Sequence, residues 1–261
     1  MGKIIAVTNQ KGGVGKTTTS INLAASLVAT KRRVLLVDMD PQGNATMGSG
    51  IRKNELERIS YDVLIGEASI EDVRITTMNG GYDLVPSNSD LTAAEVNLLQ
   101  MERKEVRLKE ALQKVVDQYD YILIDCPPAL NMLTVNALTA ADAVMIPMQC
   151  EYYALEGLTA LLDTINKIRA SLNPNLQIEG LLRTMFDPRN KLASDVSQQL
   201  TDHFGGKVYR TVIPRNVRLA EAPSYGMPVL AYDKGSSGAK SYLALAGEML
   251  RNETSLQRAT A

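Results

Sequence analysis

A glycine-rich run, KGGVGKTTT at residues 11–19, follows the apolar stretch KIIAVT (3–8) and leads into a helix-like stretch at 16–30. Few folds accommodate that order. The apolar stretch has no polar face, so as a strand it must be covered on both sides, as in a parallel sheet. The helix-like stretch puts Ile21, Ala24, Ala25 and Val28 on one face, which suits a helix laid against such a sheet. Between them, Gly12, Gly13 and Gly15 let the backbone N–H groups turn toward an anion. The helix that begins near Lys16 adds its positive end to the same place.

The alternation continues along the chain. RVLLVD (33–38), YDLVP (82–86), YILID (121–125), AVMIPM (143–148) and IEGLLRTM (178–185) read as further strands. Helical patterns fall at 104–118, with Leu108, Ala111, Leu112 and Val115 on one face, and at 155–171, 191–204 and 238–250. The order predicts an α/β fold: a doubly wound, mostly parallel sheet with helices on both faces. At 261 residues and 45% apolar composition the chain can build one sizeable core, read as a single domain over 1–251. The polar stretch 41–60 reads as irregular and mobile, and 252–261 as a polar, disordered tail.

Charge and cysteines exclude several classes. With 28 basic and 29 acidic residues, the formal charge of −1 gives no global attraction to nucleic acid or anionic lipid. Any polyanion must be held by a local patch. Cys126 and Cys150 are too few for a disulfide scaffold and point to a reducing, cytoplasmic setting. The start MGKIIAVTNQ has no signal-peptide pattern, and Ala6 stands where a myristoylated Met-Gly start needs Ser or Thr. No apolar run reaches the ~18 residues of a membrane span.

The usual phosphate loop is G-x-x-x-x-G-K-[ST]. Gly15, Lys16 and Thr17 supply its end, with Val14 and Thr18 flanking, but Gln10 occupies the first glycine position and Lys11 adds a second lysine. In such a loop Lys16 reaches the β- and γ-phosphates and the Thr17 hydroxyl holds Mg²⁺. Asp125 ends one apolar strand and suits the shell of that metal, while Asp38 and Asp40 end another, on the ligand-binding edge of the sheet. Asp38 reads equally as a turn cap. Cys126 reads as a small buried apolar residue, and neither cysteine lies in a cluster-binding context. His203 reads as a helix-end residue, and Tyr152 and Tyr153 as packing or interface residues.

KGGVGKTT resembles the deviant Walker A motif, K-G-G-x-x-x-K-[ST], of the ParA/MinD/nitrogenase-reductase group of P-loop ATPases. VLLVDMDPQGNAT (34–46), YDYILIDCPP (119–128), QCEYYALEGL (149–158) and TVIPRNVRLAEAPSYG (211–226) extend the resemblance along the whole chain to the chromosome-partitioning ParA/Soj ATPases. The resemblance implies ATP and Mg²⁺ as ligands and two ATPs sandwiched in a homodimer, with Lys11 crossing to the partner's nucleotide. It implies that Asp40 orients the attacking water, Pro214 packs on the adenine and Asn216 bonds to its edge. Arg189 and Arg218 match basic residues that bind DNA without sequence preference, and Arg215 reads either as a third contact or as structural. The implied cycle is partition of chromosome or plasmid DNA on the nucleoid, with hydrolysis stimulated by a ParB-like partner. The alternative, a MinD-like membrane-cycling division ATPase, needs a basic, apolar C-terminal helix that EMLRNETSLQRATA does not supply. Stable membrane binding is therefore not expected.

Overall fold

The computed structural model describes residues 2–260, with only the backbone described over 255–260. Strands run Lys3–Val7 (β1), Val34–Asp38 (β2), Ile75–Thr76 (β3), Asp83–Val85 (β4), Tyr121–Asp125 (β5), Ala143–Met148 (β6) and Gln177–Arg183 (β7). They form one sheet in the order β3-β4-β2-β5-β1-β6-β7, parallel except for the β3–β4 pair. The helices are Lys16–Ala29 (α1), Asn44–Gly48 (α2), Ser60–Ile65 (α3), Ile70–Val73 (α4), Leu91–Leu99 (α5), Arg107–Gln113 (α6), Met132–Ala140 (α7), Ala154–Ser171 (α8), Lys191–Phe204 (α9), Val217–Glu221 (α10), Val229–Tyr232 (α11) and Ser237–Thr260 (α12).

The all-apolar strands are buried on both faces because the period of two divides their side chains between two cores. Ile4 and Ala6 of β1, Leu35 and Val37 of β2, and Ile122 and Ile124 of β5 face the core shared with α3, α5, α6, α7 and α8. Their alternates, Ile5 and Val7, Val34 and Leu36, and Tyr121 and Leu123, face the core built with α1 and α12. The sheet is therefore doubly wound.

Register then positions the functional edge. Val7, at the end of β1, lies opposite Asp125 of β5, and Asp38 of β2 lies opposite the same Asp125. β1 sits mid-sheet, with β5 and β2 on one side and β6 and β7 on the other. The crevice at its carboxyl end is where strand order reverses, the usual ligand position in open α/β sheets.

Three expectations change. The segment 41–60 is not irregular: it contains α2, with Ala45 and Thr46 buried. The Asp38 carboxylate holds that helix, accepting from the backbone N–H of Thr46 at 2.8 Å and from its Oγ1 at 2.7 Å. The pattern at 104–118 yields an α-helix only over 107–113: the N–H groups of Lys114 and Val115 turn back to the carbonyls of Ala111 and Leu112, and a 3-10 turn follows at Val116–Gln118. The backbone of α12 runs to Thr260, through the stretch read as a tail. Glu253 helps anchor it, accepting from Lys3 Nζ at 3.0 Å and from the Tyr121 hydroxyl. The two-residue β3 is too short to leave a periodic signal.

Gly50 and Gly226 tie the 41–60 segment to the C-terminal third. Both are left-handed, with φ of 85° and 62°, and a Cβ on Gly226 would lie 2.6 Å from the Gly50 Cα. Gly226→Ala should therefore lower unfolding stability by ~1–3 kcal/mol. Urea denaturation followed by circular dichroism checks this, and an unchanged midpoint would contradict the contact.

Candidate functional site

The loop between β1 and α1 is bent by its glycines. Gly13 and Gly15 have φ of 73° and 87°, and a Cβ on Gly12 or Gly13 would meet nothing within 4 Å. The inner face of the loop is thus open space bounded by backbone. Gly15 is the N-cap of α1 and makes no side-chain cap bond, so the first-turn N–H groups face the cleft without a protein anion. The outer frame is tied down: Asn9 Nδ2 donates to Pro147 O at 2.8 Å, and Thr184 Oγ1 donates to Val14 O at 2.7 Å.

Lys16 is buried, and its ammonium donates to the Lys11 carbonyl at 3.2 Å. Burial pushes the ammonium below the usual lysine range, opposed by the charge of Asp125. Lys11 lies on the outer rim, where its Nζ pairs with Glu151, both side chains being about half exposed. Gln10 donates from Nε2 to Thr164 Oγ1 at 3.3 Å and so braces the loop against α8.

Asp125 is fully buried and accepts from Thr17 Oγ1 and Ser20 Oγ, both at 2.8 Å. Burial raises its pKa, and the neighbouring Asp38 raises it further. Asp38 is raised for the same reason, against the hydrogen bonds from Thr46. Two buried carboxylates side by side beneath a threonine hydroxyl favour a cation. Among the described residues no group of three or more His, Cys, Asp or Glu side chains could hold a metal by itself. A cation here needs oxygen from phosphate or water, which is how Mg²⁺ is usually held. Asp40 and Gln42 line the same cleft as Gly12 and Lys16. The Asp40 carboxylate accepts from Gln42 N at 2.9 Å.

A cavity of about 210 Å³ adjoins this cleft, sharing Gly15, Thr18 and Met185 with it, and is lined by Pro214, Asn216 and Tyr242. Asn216 caps α10, its Oδ1 accepting from Leu219 N at 3.3 Å while Nδ2 donates to Ser237 Oγ at 2.8 Å. One N–H and further acceptor capacity remain. The structure thus brings together the loop, the three aspartates and the Pro214–Asn216 segment. Of the three arginines, Arg215 lines the adjoining cavity, whereas Arg189 and Arg218 line neither it nor the cleft. Arg189 is exposed and bidentate with Asp187, at 2.9 and 2.7 Å. Arg218 pairs with Glu221 at 2.8 Å and Asp233 at 3.3 Å, and Arg215 is exposed.

Sequence reasoning missed Ser20, Thr46, Ser87 and Thr184, whose hydroxyls hold the aspartates and the loop. Ser20 carried a signal, lying one helical turn beyond Lys16 on the same face. Ser87 and Thr184 come from distant strand ends and carried none.

A glycine-rich loop between a central parallel strand and its helix, with carboxylates on adjacent strand ends, defines a P-loop nucleoside triphosphatase. Residues 2–178 match the family described as AAA domain. The sporulation initiation inhibitor protein Soj of Bacillus subtilis is 55% identical over 252 residues, covering 97% of this chain and 100% of that protein. The chromosome partitioning protein ParA of Caulobacter vibrioides is 51% identical over 257 residues, covering 98% and 96%. A crystal structure titled cobyrinic acid a,c-diamide synthase, from Mycobacterium smegmatis with bound ATP analogue and magnesium, superposes with a TM-score of 0.86 at 37% identity, covering 98% and 97%. The chain belongs to the ParA/Soj family of P-loop ATPases.

Lys16 is the buried cation of the cleft, so its loss should remove nucleotide binding. ATP with Mg²⁺ at a hundredfold excess over Kd should stabilise the parent protein by ~2.7 kcal/mol. Lys16→Ala should show almost none of that gain in a thermal shift series, and a full gain would exclude Lys16 from the phosphate site.

Proposed function

We propose that the chain is an ATP-driven homodimerising switch that partitions chromosome or plasmid DNA. Gly12 through Thr18 cradle the triphosphate, and Lys16 meets its β- and γ-phosphates. Thr17 would hold Mg²⁺, with Asp125 beside it in its outer shell and Asp38 supporting both loop and metal. Bound there, Mg²⁺ would neutralise the charge that develops on the phosphates. Asp40 orients the attacking water. Pro214 and Asn216 receive the adenine, as the cavity beside Gly15 and Thr18 allows.

The observation that carries this reading is the position of Lys11. Its ammonium lies outside the cleft in an exposed ion pair with Glu151. Such a pair is worth at most ~1 kcal/mol, so a triphosphate presented from outside displaces it readily. A second copy facing the loop presents one. Each Lys11 then completes the partner's pocket and stabilises transition-state charge as an arginine finger does. Tyr152 and Tyr153, beside Glu151, are largely exposed and give that face apolar surface to bury.

Dimerisation doubles the copies of Arg189, Arg215 and Arg218. The carboxylate partners of Arg189 and Arg218 are partly exposed, so DNA phosphates compete for the same guanidinium groups. The resulting affinity is independent of sequence, steep in salt and raised by avidity in the ATP state. A ParB-like partner stimulates hydrolysis, after which the dimer parts and leaves the nucleoid. Intrinsic turnover is slow, as a timer requires.

Light scattering with ATP and Mg²⁺ tests the crossing lysine: the parent should dimerise, and Lys11→Ala should remain monomeric or turn over ATP at least ~10-fold more slowly. Parent-like pairing and turnover would remove the carrying observation. Arg218→Glu should still dimerise but lose ~10-fold or more in affinity for a random DNA duplex at moderate salt. Unchanged retention would exclude the patch.

A further inference from the structure

Asp40 stands in a loop whose geometry is set largely from outside it. Its backbone N–H donates to Asp38 Oδ1 at 3.1 Å. Its carbonyl accepts from Gly43 N at 2.8 Å, closing a tight turn, and from Ser87 Oγ, also at 2.8 Å. Ser87 is wholly buried just beyond β4. A serine hydroxyl has one proton, and its other carbonyl neighbour, Asn88 O, is at 3.5 Å, so the bond to Asp40 is the one made well. The backbone N–H of Ser87 donates to Thr46 Oγ1 at 2.8 Å, and Thr46 in turn holds Asp38. Even the loop glycine answers to Ser87: a Cβ on Gly43 would lie 2.6 Å from the Ser87 carbonyl oxygen.

We propose that Ser87 is a positioning residue for ATP hydrolysis, its hydroxyl fixing the main chain of Asp40 so that the Asp40 carboxylate faces the cleft in one place. The proposal rests on the reading of Asp40 as the residue that orients the attacking water. The sheet gives Ser87 its authority. β4 is hydrogen-bonded to β2, with Val85 opposite Val37, so the residues beyond those two strand ends keep a fixed offset. The Ser87 hydroxyl carries that frame to the Asp40 carbonyl, beside the bond from the Asp40 N–H to Asp38. Ser87 lies outside the Asp40–Gly43 turn bond, which Ser87→Ala leaves intact. The loop therefore still forms but is less sharply placed, and small misplacements at a reacting centre cost rate more than binding.

The test is steady-state phosphate release by the full chain with ATP and Mg²⁺, beside nucleotide affinity measured with a fluorescent ATP analogue. Ser87→Ala should lower kcat about five- to tenfold while the nucleotide Kd stays within about twofold. A purely structural role would lower unfolding stability and leave kcat at the parent value, and that result overturns the proposal. So does a weakened Kd with kcat unchanged. Asp40→Ala is run in parallel. If it retains the parent kcat, the reading of Asp40 fails and the proposal with it. If it is inactive while Ser87→Ala matches the parent, the proposal alone fails. Should Ser87→Ala not unfold cooperatively, Ser87→Cys keeps the volume with a weaker donor. A kcat below the parent's at unchanged Kd then supports the proposal, and a parent kcat overturns it.

Discussion

The carboxylate of Asp125 holds the functional edge together. It ends the strand beside β1 and accepts hydroxyls from Thr17 and Ser20, three residues apart on one face of α1. Those two bonds clamp the start of the helix to the sheet and so define where the loop before it lies. Removing a buried charge from water is costly unless its acceptor positions are used, which is why two hydroxyls are recruited. Even so, burial and the adjacent Asp38 leave the carboxyl resisting ionisation. That residual tension makes the edge receptive to a cation.

The rest of the site consists of hydroxyls that carry the position of one strand end to another. Thr184, after β7, holds the loop at Val14. Thr46 is shared between Asp38 and Ser87. Lysines, by contrast, are left where they can change partners: Lys16 donates to a carbonyl at 3.2 Å, and Lys11 sits in a half-exposed pair. A rigid frame of neutral donors around adjustable cations suits a site whose occupant carries the compensating negative charge.

Much of this was legible in order of residues. Each long strand announced itself because a strand covered on both faces has to be apolar throughout, and the glycine run could be read because it lies between such a strand and a helix. The aspartates at 38, 40 and 125 could be named because they close apolar runs. The order of the 41–60 segment is not legible within it, because it comes from Asp38 and Gly226, neither of which lies there. The full length of the C-terminal helix is not legible in its own residues, because Lys3 and Tyr121, which hold Glu253, lie far away in sequence.

The sequence by itself determined the layer architecture, the phosphate loop and the family, since these depend on local periodicity and on contiguous motifs. Tertiary structure alone decided that Asp38 and Asp125 stand side by side, that Ser87 reaches Asp40, and that Lys11 turns outward. Those facts depend on strand order and register, which bring together residues separated by tens to more than a hundred positions. No local pattern encodes the distance between two strand ends.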